Sequence, residues 1–353
     1  MIGILGFVAV FGAGRWLGWP GRWVWLMAWG WLLVLLLAHA PYMPAQLGDF
    51  VGGEFRGWFV LGVLVGVALA YRAALRRVRG RVPEPATGAG VAKPVTFSPV
   101  ELDRYARHIM LREIGGPGQK RLKAARVLVV GAGGLGSPAL MYLAASGVGV
   151  IGVIDGDGVE GSNLQRQIIH TDARIGMPKV FSAELAMKAL NPFIQVRPYH
   201  RRLDEALAAE LVADYDLVLD GTDNFDTRYL VNRVCAAAAK PLIAAAITQW
   251  EGQISLYDPA RGGPCFECVF PVRPAPGMVP TCAEAGVAAP LPGVIGAMMA
   301  MEAVKHLTGA GAGLRGRLLI HDALYAETRV IGVKRRDGCA ACGGSSTGTD
   351  HPE

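Results

Sequence analysis

Hydrophobic positions in the first 81 residues form long runs rather than a periodic pattern. Residues 23–40 and 57–71 contain no charged side chain, and residues 1–14 form a third apolar run. A helix needs about 20 apolar residues to cross the hydrocarbon core of a bilayer, with about 17 as the lower limit. The pattern therefore predicts two to three transmembrane helices. A buried helical hairpin and a cleaved signal peptide are the alternatives.

Basic residues next to these runs indicate an orientation. The last run is followed by five arginines, Arg72, Arg76, Arg77, Arg79 and Arg81. Because positive residues beside a span stay on the cytoplasmic side, we expect an inner (plasma) membrane location with the remaining chain in the cytoplasm. The formal charge of +6 lies wholly within residues 1–81, so the remaining chain lacks the basic excess that nucleic-acid binding requires.

A Pro- and Gly-rich stretch separates the apolar runs from the rest of the chain. It has no periodic apolar pattern, which is typical of a linker. Ser98, Pro99 and Glu101 then have the spacing of a helix N-cap, a first helical residue and a capping box. The predicted organisation is a membrane anchor over 1–81, a linker over 82–97, a folded domain over 98–343 and a disordered tail over 344–353.

Strands and helices alternate from residue 126 onward. A β-branched run, a glycine-rich turn, a helical stretch and a strand ending at Asp155 come first. The pattern continues with helices near 178–190, 203–214 and 224–238 and strands at 194–200, 216–220 and 241–247. Such alternation predicts an α/β, Rossmann-like, doubly wound and mostly parallel sheet, which we expect to end in an antiparallel C-terminal extension.

The turn after the first strand carries the glycines Gly131, Gly133, Gly134 and Gly136. Backbone N–H groups and a helix N-terminus at such a turn attract phosphate, and Asp155 follows at the distance of a ribose-binding acid. The motif alone is compatible with a tight structural turn, or with a dehydrogenase. Arg166, Lys179 and Asp223 favour a nucleoside triphosphate instead, because cations neutralise phosphates and an acid can hold Mg²⁺.

The domain resembles the MoeB/ThiF/HesA family, the bacterial relatives of ubiquitin-activating enzymes. The resemblance covers roughly residues 98–343, and the membrane segment is not part of the usual family pattern. The matching strings include RYARHIMLREIG, RVLVVGAGGLGSPALMYLAASGVG, DGDGVEGSNLQRQIIHTDARIGMPK, LVLDGTDNFDTRYLVN, EGQISLYDP, PCFEC, TCAEAGVAAPLPGVIGAMMAMEAVK and GCAAC.

The resemblance implies ATP-dependent adenylation of the C-terminal glycine of a small ubiquitin-like sulfur-carrier protein ending in Gly-Gly. It implies that Gly134 lies in the nucleotide loop, that Asp155 holds the ribose and that Asp223 binds Mg²⁺. It further implies phosphate contacts from Asn163, Arg166 and Lys179. Arg107 matches an arginine that the family supplies from the neighbouring subunit, so we expect a homodimer.

Two C-x-x-C pairs, Cys265 with Cys268 and Cys339 with Cys342, provide four thiolates for a tetrahedral structural zinc. The site would tie the C-terminus to the core; unmetallated thiols or redox pairs are the alternatives. In the family, the position of Cys282 can accept the carrier as a thioester or sulfur link, although the sequence shows no sign of activation. Cys235 has apolar helical neighbours and is expected in the core.

Other functions remain open at this point. The chain ends soon after Cys342, which leaves no room for an appended rhodanese domain and favours a molybdopterin-type activator. Thiamine-type or other ubiquitin-like carriers are alternatives, as are an NAD-dependent oxidoreductase on the same glycine loop and a noncatalytic adaptor.

Overall fold

The computed structural model describes residues 2–16, 19, 21–40, 44, 49, 54–79, 96–275, 278 and 285–343. The chain divides into two compact units, one of residues 1–91 and one of residues 92–353. The predicted linker lies almost wholly outside the described residues, and the predicted tail over 344–353 lies outside them entirely.

The first unit contains three apolar helices, α1 (Ile2–Trp16), α2 (Gly21–Ala38) and α3 (Phe55–Arg79). Within the described residues, only Phe55–Ala73 of α3 is long and apolar enough to cross a membrane, since the apolar parts of α1 and α2 are shorter. Where the sequence predicts two to three spans, the structure therefore has one helix of spanning length.

The second unit is an α/β domain whose first helix begins as predicted, with Ser98 and Glu101 forming a capping box. Its strands are β1 (Arg126–Val130), β2 (Val150–Ile154), β3 (Gln195–Tyr199), β4 (Leu217–Asp220), β5 (Leu242–Thr248), β6 (Glu251–Tyr257), β7 (Arg317–Asp322) and β8 (Glu327–Gly332). Its helices are α4 (Pro99–Arg104), α5 (Ala106–Ile109), α6 (Gly115–Ala124), α7 (Gly136–Ser146), α8 (Lys179–Leu190), α9 (Glu205–Ala213), α10 (Phe225–Ala237), α11 (Phe266–Val269) and α12 (Leu291–Thr308).

All eight strands form one sheet in the order β3-β2-β1-β4-β5-β6-β7-β8. The first five strands pair in parallel, whereas β6, β7 and β8 add in antiparallel fashion. The predicted mostly parallel sheet and its antiparallel C-terminal extension are confirmed. The strand order reverses direction between β1 and β4, which is where open α/β sheets bind their ligands.

Helices cover both faces of the parallel half of the sheet, because its strands are apolar on both sides. Val127 and Val129 of β1 pack with one core, which includes side chains of α7, α8 and α12. Leu128 and Val130 of the same strand pack with the opposite core, which includes α9 and α10. This alternation within one strand produces the predicted doubly wound arrangement.

Helix α12 packs directly against the start of α7. A methyl group at Gly296 would overlap the carbonyl oxygen of Leu135 and the ring of Pro138. Gly293, one turn earlier on the same helix, has open space where its methyl would go. The contact at Gly296 therefore fixes α12 directly against the turn from which α7 begins.

Replacing these two glycines by alanine tests this contact with a built-in control. Gly296→Ala is expected to lower the free energy of unfolding by about 1–3 kcal/mol, because a methyl is forced into packed backbone. Gly293→Ala is expected to be neutral or to stabilise by up to about 1 kcal/mol, because alanine favours the helix. Urea denaturation measures both, and equal effects would contradict this packing.

Candidate nucleotide-binding site

Three polypeptide segments meet at the carboxyl edge of the sheet beside β1. The parallel registers place Val130 opposite Ile154 on one side and opposite Asp220 on the other. Gly131 follows β1 with a φ of +94°, a conformation that glycine adopts without strain. The segment after β2 begins with Asp155, and the segment after β4 begins with Gly221, so both flank the glycine turn.

The glycine turn packs backbone against backbone. A methyl at Gly136 would overlap the carbonyl oxygen of Gly131, and one at Gly221 would approach the Gly136 nitrogen to 3.2 Å. A methyl at Gly134 would lie 3.1 Å from Pro292 and 3.7 Å from Cγ of Arg166. The absence of side chains at these positions leaves the turn and the N-terminus of α7 open to a phosphate.

Asp155 is part of the turn's support. Its Oδ2 accepts a hydrogen bond from the backbone N–H of Ala132 at 2.8 Å, and its Oδ1 accepts one from the backbone N–H of Asp157 at 2.8 Å. A carboxylate can accept about four hydrogen bonds, so both oxygens retain capacity for a ribose hydroxyl. The structure therefore places Asp155 directly beside the glycine turn.

Lys179 is a buried cation at the start of α8, with 6% of its surface exposed. Its Nζ donates to Oδ2 of the largely exposed Asp157 at 3.0 Å, and its backbone N–H donates to the Asp157 carbonyl at 2.9 Å. A buried ammonium needs compensating negative charge, which Asp157 supplies from the solvent side. Asp157 links Lys179 to Asp155, although the sequence pattern alone assigns it no role.

Asn163, Arg166 and Gln167 lie beside the turn on the segment that follows β2. Arg166 Nη2 donates to Oδ1 of Asn163 at 3.3 Å, so these two predicted residues are neighbours. A methyl at Gly133 would lie 3.7 Å from Nε2 of Gln167. Gln167 is buried, and its Oε1 has no hydrogen-bond partner within the part of the chain that the structure describes.

Asp223 lies two residues beyond Gly221, and its side chain is exposed. The turn that carries it is held by Asp220, which is fully buried and accepts hydrogen bonds from the Thr222 N–H at 2.9 Å and hydroxyl at 2.6 Å. The other carboxylate oxygen of Asp220 has no hydrogen-bond partner among the described residues. No sequence motif assigns a role to Asp220, although a charged residue at the end of an apolar strand is a pattern that could have indicated a functional position.

A buried histidine spans from the glycine turn to α8. Nε2 of His170 lies 2.9 Å from the carbonyl oxygen of Ala132, and Nδ1 lies 2.9 Å from Oγ of Ser182. Burial lowers the pKa of His170, and the positive charges of Lys179 and Arg174 lower it further. The sequence gives no spacing that singles out His170, because its two partners lie 38 and 12 residues away.

Two predicted catalytic residues are not joined to the crevice by the structure. Arg107 is exposed on the short helix α5, and no side-chain contact links it to the glycine turn within the described ranges. Cys282 lies outside the described residues. Cys235 is buried in α10, and burial raises its thiol pKa, as expected for a core position.

The four cysteines of the two C-x-x-C pairs form a separate cluster. All four Sγ atoms lie within 4.8 Å of one another, with 3.6 Å between Cys265 and Cys339 and 3.5 Å between Cys268 and Cys342. A tetrahedral zinc with Zn–S bonds of about 2.3 Å requires sulfurs about 3.8 Å apart, whereas a disulfide requires about 2.05 Å. The donor set therefore fits zinc.

Backbone groups in the cluster favour a thiolate. Burial acts to raise the pKa of Cys339, but the N–H groups of Cys342 and Ala341 lower it to about 7. Burial raises the pKa of Cys265. A divalent cation would stabilise the deprotonated form of all four thiols.

An open, doubly wound sheet with a glycine turn, a flanking acid and a buried lysine at its switch point defines a nucleotide-binding protein of the Rossmann-like class. The ThiF family model matches residues 105–341. The chain is 49% identical over 251 residues to a sulfur carrier protein adenylyltransferase of Thermus thermophilus, covering 70% of this chain and 93% of that protein. The chain belongs to the ThiF family, and it is an adenylyltransferase.

Other relatives agree with this assignment. The SAMP-activating enzyme E1 of Haloferax volcanii is 47% identical over 249 residues, covering 70% of this chain and 92% of that protein. The adenylyltransferase and sulfurtransferase MOCS3 of Bos taurus is 46% identical over 274 residues, covering 75% of this chain and 60% of that longer protein.

The fold is also found in solved structures. The crystal structure of E. coli MccB with ATP matches with a TM-score of 0.61 at 24% identity, covering 68% of this chain and 74% of MccB. This likeness concerns the fold alone. The family assignment confirms the resemblance predicted from the sequence and excludes the oxidoreductase and noncatalytic alternatives.

The cysteine cluster makes a testable prediction about metal content. Purified protein is expected to contain stoichiometric zinc. Cys342→Ser should lose the zinc and Cys235→Ser should retain it, because Cys342 belongs to the cluster and Cys235 does not. Chelation is expected to lower the thermal unfolding temperature of the wild type but not of Cys342→Ser. Elemental analysis and thermal unfolding test this, and equal zinc in both variants would exclude the site.

Proposed function

We propose that the chain uses ATP to adenylate the C-terminal glycine of a small ubiquitin-like sulfur-carrier protein ending in Gly-Gly. The observation that carries the proposal is the crevice itself, in which the glycines of the turn lie beside the buried Lys179. Among the described residues, Lys179 has one carboxylate partner, Asp157. A triphosphate matches this excess of donors and positive charge. Two of the relatives carry sulfur carriers or SAMP in their names.

The reaction needs electrostatic help more than acid–base chemistry. An ionised carboxylate oxygen of the carrier attacks the α-phosphorus of ATP, and a new P–O bond forms. The bond from the α-phosphorus to the bridging oxygen breaks, and pyrophosphate leaves with the electron pair. No proton has to move, so the site must stabilise charge on the transferring phosphorus and on pyrophosphate.

Each residue near the turn has a role in this proposal. The N–H groups at Gly133, Gly134 and Gly136 bind phosphate, and Asp155 accepts a ribose hydroxyl. Asn163 and Arg166 hold the phosphates as a pair, consistent with their 3.3 Å contact.

Magnesium fits the acidic turn after β4. Asp223 would hold Mg²⁺. Behind it, the buried Asp220 has a carboxylate oxygen with no hydrogen-bond partner among the described residues, which is a further oxygen that could interact with the ion. When bound, the ion neutralises part of the triphosphate charge. Lys179 acts from the opposite side of the crevice and interacts with the phosphates through its buried ammonium.

ATP–pyrophosphate exchange tests the proposal directly. Exchange that depends on a carrier ending in Gly-Gly is expected, and Asp223→Asn should reduce it at least 100-fold, because removing one electrostatic stabiliser costs about 2.7–4 kcal/mol. Asp226→Asn, three residues further on and exposed, serves as the matched control with activity near wild type. No exchange with any carrier, from folded protein, would exclude the proposal.

The active enzyme is proposed to be a homodimer in which each crevice receives Arg107 from the partner subunit. Arg107 has an exposed side chain, and so have its neighbours Met110 and Leu111, whose exposed fractions are 83% and 48%. Arg107 has no acidic partner among the residues that the structure describes, and exposed apolar side chains beside such a cation suit a subunit interface.

Mixing inactive variants tests this arrangement. An equal mixture of Arg107→Ala and Lys179→Ala subunits is expected to regain about a quarter of wild-type activity, because half of the dimers contain one intact crevice. A mixture of Lys179→Ala with Asp223→Ala should stay inactive, because both residues belong to the same subunit's crevice. Recovery in neither mixture would place Arg107 outside the neighbouring site.

Molybdopterin cofactor synthesis is the pathway that we propose, with a thiamine-type or other carrier as the alternative. The support comes from the TCAEAG…GVIG segment, which favours a molybdopterin-type activator. Cys282, within that segment, is proposed to accept the activated carrier. Comparing carriers of the two pathways in the exchange assay distinguishes the alternatives.

Membrane attachment through residues 1–81 is also part of the proposal, at the inner membrane and with the catalytic unit in the cytoplasm. The helix Phe55–Ala73 has only 6% of its residues buried, and large hydrophobic side chains such as Leu64 and Val67 are exposed. A soluble protein rarely leaves such a continuous apolar surface in water, whereas lipid covers it without cost.

Membrane fractionation with alkaline carbonate washing tests the attachment. The wild-type protein is expected to resist extraction until detergent is added. A double variant, Leu64→Arg and Val67→Arg, should shift to the soluble or misfolded fraction, because each arginine at a span centre costs about 2.5–3.5 kcal/mol. The matched Leu64→Ala and Val67→Ala double variant should stay in the membrane, and carbonate release of the wild type would contradict attachment.

A further inference from the structure

His170 is a buried hydrogen-bonding group that the proposed chemistry does not use. Its exposed fraction is 5%, and it bridges Ala132 in the glycine turn and Ser182 on α8. A carbonyl oxygen can only accept, so Nε2 carries the proton and donates to Ala132. Nδ1 of the neutral ring then accepts from the Ser182 hydroxyl. Both ring nitrogens are therefore satisfied by one tautomer.

The peptide unit that His170 holds is the one that joins Ala132 to Gly133. A trans peptide is planar, and its N–H points opposite to its C=O. Fixing the Ala132 carbonyl on the His170 side therefore turns the Gly133 N–H away from it. That N–H has no hydrogen-bond partner within the described residues, and Gly133 has no side chain to cover it.

The neighbouring peptide is fixed from the other direction. The N–H of Ala132 donates to Asp155, which also accepts from the N–H of Asp157. Asp157 in turn accepts from Lys179, the first residue of α8. Ser182 lies three residues further on, on the same face of that helix as Lys179.

These contacts close a ring around one residue. From Ala132 the hydrogen bonds run through Asp155, Asp157 and Lys179 to α8, and return through Ser182 and His170 to Ala132. The glycine turn and the buried lysine therefore cannot shift independently of each other. The ring depends on His170, because among the described residues this side chain makes the only side-chain hydrogen bond to the Ala132 carbonyl.

We propose that His170 is a positioning residue that orients the Gly133 N–H toward a phosphate oxygen of ATP and holds it in register with Lys179. This inference rests on the proposed function and assigns a new residue to the same site. His170 does not touch the reacting atoms. Its effect is to remove the freedom of a glycine-rich turn, which would otherwise have to be ordered when the nucleotide binds.

The charged groups around His170 define how pH should act on it. Lys179 and Arg174 face it from the cationic side and Asp155 from the anionic side, and burial lowers its pKa below the usual value. The neutral form is therefore favoured in the folded state. Stability from this group is complete above the ordinary histidine pKa and decreases as the pH falls below it.

Steady-state exchange kinetics of the full-length protein provide the test. His170→Ala is expected to raise the KM for ATP about tenfold or more, with the KM for the carrier within about twofold of wild type. His170→Gln should restore most of the ATP affinity, because its amide N–H₂ can donate to Ala132 while its oxygen accepts from Ser182. The control is His321→Ala, which changes a half-buried histidine on β7 that bonds Thr328, and it should behave as wild type.

Two further readouts separate positioning from general stability. Hydrogen exchange of the amides of residues 131–136 should accelerate in His170→Ala and not in His170→Gln. As the pH falls, the wild type should lose ATP affinity that His170→Gln keeps, because only the wild type protonates at this position. This loss should begin below the ordinary histidine pKa of about 6.5, since burial lowers the pKa of His170.

The failure of this inference differs from that of the proposed function. If His170→Ala changes neither the KM for ATP nor the amide hydrogen exchange of residues 131–136, the role of His170 is overturned while adenylation is unaffected. Absence of ATP–pyrophosphate exchange in the wild type would overturn the proposed function. In that case, amide hydrogen exchange of residues 131–136 measured without substrates still decides whether His170 holds the turn. Equal exchange rates in wild type and His170→Ala would reject that role.

Discussion

Backbone packs directly against backbone at the start of α7. Gly136 lies against the carbonyl of Gly131, Gly221 lies against Gly136, and Gly296 of α12 lies against Leu135. Three separate segments thus reach the same few peptide units with no side chain between them. Because any larger residue would push the segments apart, the geometry of the turn, the helix N-terminus and the β4 turn depends on these contacts together.

Charge compensation gives this scaffold its chemistry. Within the part of the chain that the structure describes, the buried Lys179 has the largely exposed Asp157 as its only acidic partner. The glycines of the turn beside it present N–H groups without side-chain cover. Such a site is electrostatically incomplete without an anion. A nucleoside triphosphate supplies negative oxygens on three phosphates, whereas a dinucleotide used for hydride transfer carries only a diphosphate. The crevice therefore suits adenylation better than hydride transfer.

The cysteine cluster connects the two ends of the antiparallel extension. Cys265 and Cys268 lie at α11, and Cys339 and Cys342 follow β8. Cys265 contacts Cys339 and Cys268 contacts Cys342, and each pair is separated by 74 residues along the chain. Strand β8 is exposed along its length and is an edge of the sheet, so it has little packing of its own. A metal bound by the cluster after β8 would hold the extension to the core through coordination rather than through burial.

The sequence by itself determined the elements and their chemistry class. The alternation of strands and helices predicts the parallel sheet, because hydrophobic periodicity and glycine turns are local properties of the sequence. Short spacings likewise identify Gly131, Asp155 and the paired cysteines. What only the tertiary structure decided was which residues meet. Asp157, His170 and Asp220 join the site through partners that lie far away along the chain or through burial, and no local spacing encodes those distances. That one helix among the described residues has spanning length also emerged only from the structure, because the ends of a helix depend on the turns that flank it as well as on the apolar run inside it.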